Sequence, residues 1–190
     1  MRLNLPIVLT WSRVLAIPLL IGVYYLPDAW LDLHETNLTA TLVFTLAALT
    51  DWADGWLARR FNQVSAFGAF LDPVADKLMI AAALILLVEL ERTSALIAVI
   101  IIGREIAVSA LREWMAQIGS GHSVTVSMVG KIKTTAQMLA IPMLLYHDPL
   151  FGIPVQRAGY WLLLIAALLT LCSMVFYLHK AWPEISKRYR

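Results

Sequence analysis

The chain has 190 residues, of which 60% are hydrophobic, and its formal net charge is only +2. This apolar share excludes an ordinary water-soluble domain and predicts a single membrane domain over residues 1–190. The small net charge says little about partners, and we predict no nucleic-acid partner. The lone cysteine, Cys172, excludes an internal disulfide.

Apolar stretches of roughly 20 residues, the length that a bilayer requires, recur along the chain and predict about six membrane-spanning helices. Their approximate limits are 6–27, 37–60, 67–90, 93–116, 128–147 and 158–179. The last stretch contains a long uncharged run, whereas the others carry charged residues toward one end. The sequence therefore predicts an all-α, polytopic helical bundle with a polar cavity at one membrane face.

Lysine and arginine residues indicate the orientation of this bundle, because cytoplasmic segments are enriched in them. With six spans, most basic residues fall on one side: Arg2, Arg59, Arg60, Arg112, Lys131, Lys133, Lys180, Lys187, Arg188 and Arg190. The other side holds Arg92 and Arg157 among several carboxylates. We therefore expect both termini and the polar cavity to face the cytoplasm.

Four aspartates cluster where the second and third spans meet. Asp51 and Asp54 are three residues apart, and Asp72 and Asp76 are four apart, so each pair lies on one face of a helix. A charged residue at mid-membrane costs at least about 2.5–3.5 kcal/mol and needs compensation. Divalent cations such as Mg²⁺ prefer oxygen ligands. The cluster therefore predicts a metal site, with either two ions or one ion and a free base.

Small residues continue the same two helix faces. Gly55 and Ala58 follow the first aspartate pair, and Gly68 precedes the second. Small side chains allow close approach of another helix or of a flat ligand, and the sequence leaves both open. Arg59 lies one turn further along the first face, where its guanidinium could bind a phosphate.

The complete pattern, D-x2-D-G-x2-A-R-x8-G-x3-D-x3-D, resembles the signature of the CDP-alcohol phosphotransferases, which are integral membrane enzymes of phospholipid synthesis. Segments 5–13, 103–116 and 129–138 are similar to the bacterial CDP-diacylglycerol–glycerol-3-phosphate 3-phosphatidyltransferases of that family. One position departs from this group, because Ile7 stands where asparagine is usual. The departure weakens any nucleotide contact at position 7.

The resemblance implies an activity: transfer of the phosphatidyl group from CDP-diacylglycerol to glycerol 3-phosphate, giving phosphatidylglycerophosphate and CMP. It implies that the protein is a homodimer in the bacterial cytoplasmic membrane, in contact with membrane lipids. It also implies a cofactor of two divalent ions, either Mg²⁺ or Mn²⁺. The implied metal ligands are Asp51, Asp54, Asp72 and Asp76. The last of them, Asp76, is also implied as general base, a choice that spacing alone cannot make. The implied CDP site comprises Thr10, Gly55, Ala58, Arg59 and Gly68.

The acceptor brings a second phosphate and needs cations of its own. The candidates are Arg104, Arg112, Lys131 and Lys133. Arg104 and Arg112 are eight residues apart, and therefore on roughly one helix face. The alternative is that these cations pair with Glu105 and Glu113, or extend to the membrane interface.

Other functions fit part of the pattern. An enzyme of the same family with serine, inositol phosphate or a phospholipid as acceptor would keep the aspartates, although serine would not need the basic set. A divalent-cation transporter would use intramembrane carboxylates, but all four aspartates lie toward one face and no inverted repeat is visible. A non-catalytic structural protein would not require four aligned aspartates.

Overall fold

The computed structural model describes residues 5–61, 66–118 and 128–188. Over these ranges the chain forms six α-helices, one short 3-10 helix and no strand. They are α1 (Leu5–Gly22), the 3-10 helix (Val23–Tyr25), α2 (Leu33–Phe61), α3 (Ala66–Glu89), α4 (Ala95–Gln117), α5 (Met128–Tyr146) and α6 (Val155–Arg188). The prediction of an all-α fold with six helices is confirmed.

Three helices have an end that differs from its apolar limit by four residues or more: α1 ends at Gly22, α2 begins at Leu33 and α6 ends at Arg188. Helix α2 begins at Leu33, four residues before the predicted span. Asp32 and Glu35 form a reciprocal capping box, in which the Glu35 N–H donates to Asp32 Oδ1 at 2.7 Å and the Asp32 N–H donates to Glu35 Oε2 at 3.1 Å. Helix α6 has 34 residues, and its length of about 51 Å exceeds the roughly 30 Å of a bilayer core.

The helices form one bundle around a shared apolar core. Helix α1 packs against α2 and α3, α5 packs against α2 and α6, and α4 packs against α3 and α6. Every helix contributes to the core, which includes Leu20, Phe44, Leu84, Leu87, Ile101, Ile141, Leu144 and Leu163. The closest approach is between α5 and α6, where a Cβ placed on Gly159 would lie 2.9 Å from Met143 Cβ.

Chain direction gives the bundle two distinct ends. We call the motif end the one formed by the first turns of α1, α3 and α5 and the last turns of α2, α4 and α6. The opposite end is called the distal end. The described chain begins at Leu5 and stops at Arg188, and both residues lie at the motif end.

The outer surface of the bundle is apolar. Large apolar side chains are exposed on every helix, for example Leu15, Leu42, Ile85, Val99, Leu139 and Leu168. Such a continuous apolar exterior is the kind that lipid covers. Within the described residues, Val155–Trp182 of α6 is the segment that is both long and apolar enough to cross a membrane. The shorter stretch Leu9–Tyr25 is also apolar.

A buried arginine ties the distal end together. Arg92, in the loop between α3 and α4, is only 7% exposed. Its Nη1 donates to the carbonyls of Leu144 at 3.1 Å and Leu145 at 2.6 Å, near the end of α5. Its Nη2 donates to Asn37 Oδ1 of α2 at 2.6 Å, and its guanidinium lies 5.8 Å from the ring centre of Tyr24. One side chain therefore connects three separate helical segments to the α3–α4 loop.

A second distal contact joins the start of α2 to the α5–α6 loop and depends on pH. His34 Nδ1 lies 2.6 Å from Asp148 Oδ2, and this hydrogen bond raises the pKa of His34 above its usual 6.5. A raised pKa means that the pair stabilises the fold below pH ~6.5 and that this contribution is lost as the pH rises through the raised value. We expect the pKa of His34, measured by NMR titration, to fall in Asp148→Asn. An unchanged pKa would contradict the contact.

Candidate active site

Two side-chain contacts join α1 to α3 at the motif end. The buried hydroxyl of Thr10 donates to Asp72 Oδ1, and the Arg13 guanidinium donates from Nη1 to Asp76 Oδ1 at 2.7 Å. Thr10 and Arg13 are one turn apart on α1, as Asp72 and Asp76 are on α3. The two helices run in the same direction, so the contacts form successive rungs.

Each rung joins a buried side chain of α1 to a half-buried aspartate of α3. The Arg13 side chain is 2% exposed, whereas Asp76 keeps 33% of its side-chain surface accessible. Burying a guanidinium among apolar side chains is costly unless a carboxylate accompanies it. Asp76 therefore satisfies Arg13 on one side and still has access to the surface of the bundle on the other.

The first aspartate pair lies on the neighbouring helix. Asp51 and Asp54 belong to the last three turns of α2, which ends at Phe61, and α3 begins at Ala66. Both halves of the motif are therefore helical and lie at the motif end. The side chains of Asp51, Asp54, Gly55, Ala58 and Arg59 lie outside the described part of the structure, and Gly68 is buried in α3. Among side chains that are described, no group of three or more acidic, histidine or cysteine residues could hold a metal.

The predicted acceptor cations fall into two groups, and the first is buried and ion-paired. Arg104 and Lys133 are each 3% exposed, and both donate to Glu105 Oε1, Arg104 from Nη1 at 3.2 Å. Arg104 Nη2 also donates to the Ser173 hydroxyl of α6 at 2.9 Å, and that hydroxyl donates to the Thr170 carbonyl at 2.8 Å. Pairing with Glu105, the alternative raised from the sequence, is therefore present for both cations.

The second group is Arg112 and Lys131. Arg112 is exposed near the end of α4, and its guanidinium lies 5.6 Å from the ring centre of Tyr177 on α6. Lys131 lies in the first turn of α5, with its side chain outside the described set. A separate cavity of about 520 Å³, lined in part by Arg92, Arg157 and Trp161, lies at the distal end. That cavity is therefore not part of this site.

Three residues of the site were not singled out from the sequence: Arg13, Ser173 and Tyr177. Arg13 had a usable signal, because a charged residue inside the first apolar stretch requires a partner. In the sequence analysis, Glu105 was considered only as an alternative partner for the basic residues in place of the acceptor's phosphate. In the structure it pairs with two of them, Arg104 and Lys133. Ser173 and Tyr177 lie in the long uncharged run of the last span, where no pattern distinguishes them from packing residues.

Comparison with known proteins adds evidence that is independent of this geometry. A sequence model of the CDP-alcohol phosphatidyltransferases matches residues 3–172. The chain is 49% identical over 187 residues to proteins named CDP-diacylglycerol–glycerol-3-phosphate 3-phosphatidyltransferase from Escherichia coli (strain K12) and Salmonella choleraesuis (strain SC-B67). Each alignment covers 97% of this chain and 98% of the relative.

Proposed function

Because this chain belongs to the CDP-alcohol phosphatidyltransferase family, we propose that it transfers the phosphatidyl group of CDP-diacylglycerol to glycerol 3-phosphate. The products are phosphatidylglycerophosphate and CMP. The observation that carries the proposal is the 49% identity, over nearly the full length of both chains, to relatives that bear this enzyme name. The Asp72 and Asp76 contacts with α1 support it, because they hold two motif carboxylates in fixed positions.

The four motif aspartates suit a divalent cation, which this family requires. Asp72 and Asp76 lie one turn apart on α3 and are half-buried, which gives an oxygen donor set in apolar surroundings. We assign Asp51, Asp54, Asp72 and Asp76 as ligands of Mg²⁺ or Mn²⁺, with two ions in all. When bound, such ions neutralise the donor's diphosphate and stabilise the departing CMP.

Asp76 is the proposed general base. The hydroxyl oxygen of glycerol 3-phosphate attacks the phosphorus of the phosphatidyl group, and the bond from that phosphorus to the CMP oxygen breaks. The hydroxyl proton passes to the Asp76 carboxylate, and CMP leaves with the bonding electrons. Arg13, at 2.7 Å, fixes the orientation of the carboxylate during this step. Direct attack is favoured because the motif contains no serine, cysteine or histidine that could act as an activated nucleophile.

The remaining motif residues form the proposed CDP site. Gly55, Ala58 and Gly68 leave room for the nucleotide beside the helix backbones, and Arg59 binds a phosphate. Thr10 completes this set by holding Asp72 through its hydroxyl. Arg104, Arg112, Lys131 and Lys133 supply positive charge for the acceptor's phosphate. Glu105 organises the two buried members of that set, Arg104 and Lys133.

The chain acts, in this proposal, as one domain over residues 1–190 that crosses the bacterial cytoplasmic membrane several times. The motif end faces the cytoplasm, where glycerol 3-phosphate is available, and the apolar exterior contacts membrane lipids. Both ends of the described chain lie at the motif end, which agrees with this orientation. We also propose that the protein is a homodimer, as the family resemblance implies.

The test is CMP release by purified protein in detergent with CDP-diacylglycerol and Mg²⁺. Parallel reactions contain glycerol 3-phosphate, serine or inositol phosphate as acceptor. We expect release with glycerol 3-phosphate alone and loss of release in EDTA. Release with another acceptor would leave the aspartate assignment intact but would overturn the assignment of glycerol 3-phosphate as the acceptor. Absence of release with every acceptor would overturn the proposed function, and metal uptake into liposomes would then test for a transporter.

A further inference from the structure

We propose that Tyr177 is a positioning residue for the acceptor's phosphate. In this proposal its ring separates the guanidiniums of Arg104 and Arg112 and holds Arg112 at the surface of the site. The inference rests on the proposed function, since it concerns the binding of glycerol 3-phosphate. It adds a residue that the motif does not contain and that the family signature does not cover.

One ring contacts both arginines. The Tyr177 ring centre lies 5.4 Å from the Arg104 guanidinium carbon and 5.6 Å from that of Arg112. Arg104 and Arg112 are eight residues apart on α4, a rise of about 12 Å. Tyr177 of α6 therefore fills the space between two cations on one helix face. A guanidinium within about 6 Å of an aromatic ring centre is attracted to the ring.

The two arginines have different polar partners. Arg104 is 3% exposed and donates to Glu105 and Ser173, so two of its nitrogens already have partners inside the bundle. Arg112 is exposed, and within the described residues the structure gives its guanidinium no hydrogen bond or ion pair besides the contact with Tyr177. A guanidinium that lies over an aromatic ring still has N–H donors in its own plane, and these can bind a phosphate in a bidentate manner.

Packing fixes the Tyr177 ring in place. Tyr177 is 1% exposed and belongs to a buried cluster with Val108, Met115 and Ala181 at the motif end. Val108, between the two arginines, and Met115, beyond Arg112, are both on α4, so the cluster joins α4 to α6 beside the arginine contacts. The ring is thus a rigid support and Arg112 is the flexible side chain that it orders. Pre-ordering a long side chain lowers the entropy lost when a ligand binds it.

The experiment compares Tyr177→Leu with Tyr177→Phe in the CMP-release assay. Leucine removes the ring, and we expect the KM for glycerol 3-phosphate to rise about 5- to 20-fold, as the loss of a cation–π contact predicts. We expect kcat and the KM for CDP-diacylglycerol to stay within about twofold, since only acceptor binding changes. Phenylalanine keeps the ring, and its acceptor KM should remain near that of the wild type.

Val108→Ala is the matched control for packing. It removes volume from the same buried cluster but leaves the ring and both arginines in place. We expect it to lower thermal stability with little change in the acceptor KM. An equal rise in acceptor KM for Val108→Ala and Tyr177→Leu would overturn the proposal, because packing alone would then explain the effect. A Tyr177→Phe enzyme that behaves like Tyr177→Leu would overturn it as well.

The experiment also includes a substitute variant and a wild-type measurement. If Tyr177→Leu does not fold, Tyr177→Met removes the ring with a flexible side chain of similar bulk and carries the same expectation. Measuring the wild-type protein in the same assay distinguishes a failure of this inference from a failure of the proposed function. Wild-type CMP release with glycerol 3-phosphate, together with an unchanged acceptor KM in the ring-removal variant, overturns the role of Tyr177 alone. Failure of the wild type to use glycerol 3-phosphate overturns both.

Discussion

Replacement of Asp76 by asparagine is expected to lower kcat for CMP release at least about 100-fold, because the amide cannot accept the acceptor's hydroxyl proton. The KM for CDP-diacylglycerol should change much less, since the other three motif aspartates and Arg59 remain. The measurement is steady-state CMP release with each substrate varied in turn. Near wild-type turnover would refute Asp76 as general base.

The control for this variant must account for Arg13. Asp76→Asn removes the carboxylate that accompanies a guanidinium only 2% exposed, so some loss of stability is expected beside the loss of activity. Thermal melting of the variant in detergent distinguishes an unfolded protein from a folded, inactive one. Asp28→Asn changes an exposed carboxylate at the distal end and should alter neither turnover nor melting.

Glu105→Gln is expected to destabilise the protein by about 3 kcal/mol. The reason is that one carboxylate accompanies two cations, Arg104 and Lys133, each only 3% exposed. Glutamine can accept a hydrogen bond but cannot balance either charge. For a chain of this length, such a loss corresponds to a fall in Tm of roughly 6–12 °C. Thermal unfolding in detergent measures it.

Two companion variants make the Glu105 result specific. Glu113→Gln changes an exposed glutamate two turns further along α4 and should shift stability by less than about 0.5 kcal/mol. Adding Lys133→Met to Glu105→Gln removes one of the two unbalanced cations and should restore part of the lost stability. If the two glutamate variants lose equal stability, the buried pairing of Glu105 is not the source of the stability.

Hydrophobic runs and the spacing of charged residues predicted much of this fold. Each predicted span corresponds to one helix, and the motif aspartates lie in α2 and α3 as expected. The errors are at boundaries, where apolarity is a poor guide. The α2 start depends on the Asp32–Glu35 capping box, and α6 continues beyond the apolar run to Arg188. Helical structure outside the lipid leaves no hydropathy signal.

The site was predictable in its residue types but not in its pairings. Charged residues near one end of several spans predicted cations near the aspartates, yet Thr10 and Arg13 contact aspartates more than 60 positions away. The sequence also offered both phosphate binding and glutamate pairing for Arg104 and Lys133 and could not choose between them. Tyr177 lies in an apolar run, so its contact with two arginines follows only from the tertiary packing of α4 against α6.

The contacts of Arg92 hold one end of α5 in place. The guanidinium clamps the last turn of α5 to α2 and to the α3–α4 loop, so those segments are pinned together at the distal end. Helix α5 has 19 residues and is about 28 Å long. A tilt of about 5° about the pinned end would move its first residue by about 2.5 Å, and Lys131 and Lys133 by somewhat less, by the same helix geometry. We therefore expect any tilt of α5 to displace residues at the motif end more than residues at the distal end, because the Arg92 contacts hold the distal end.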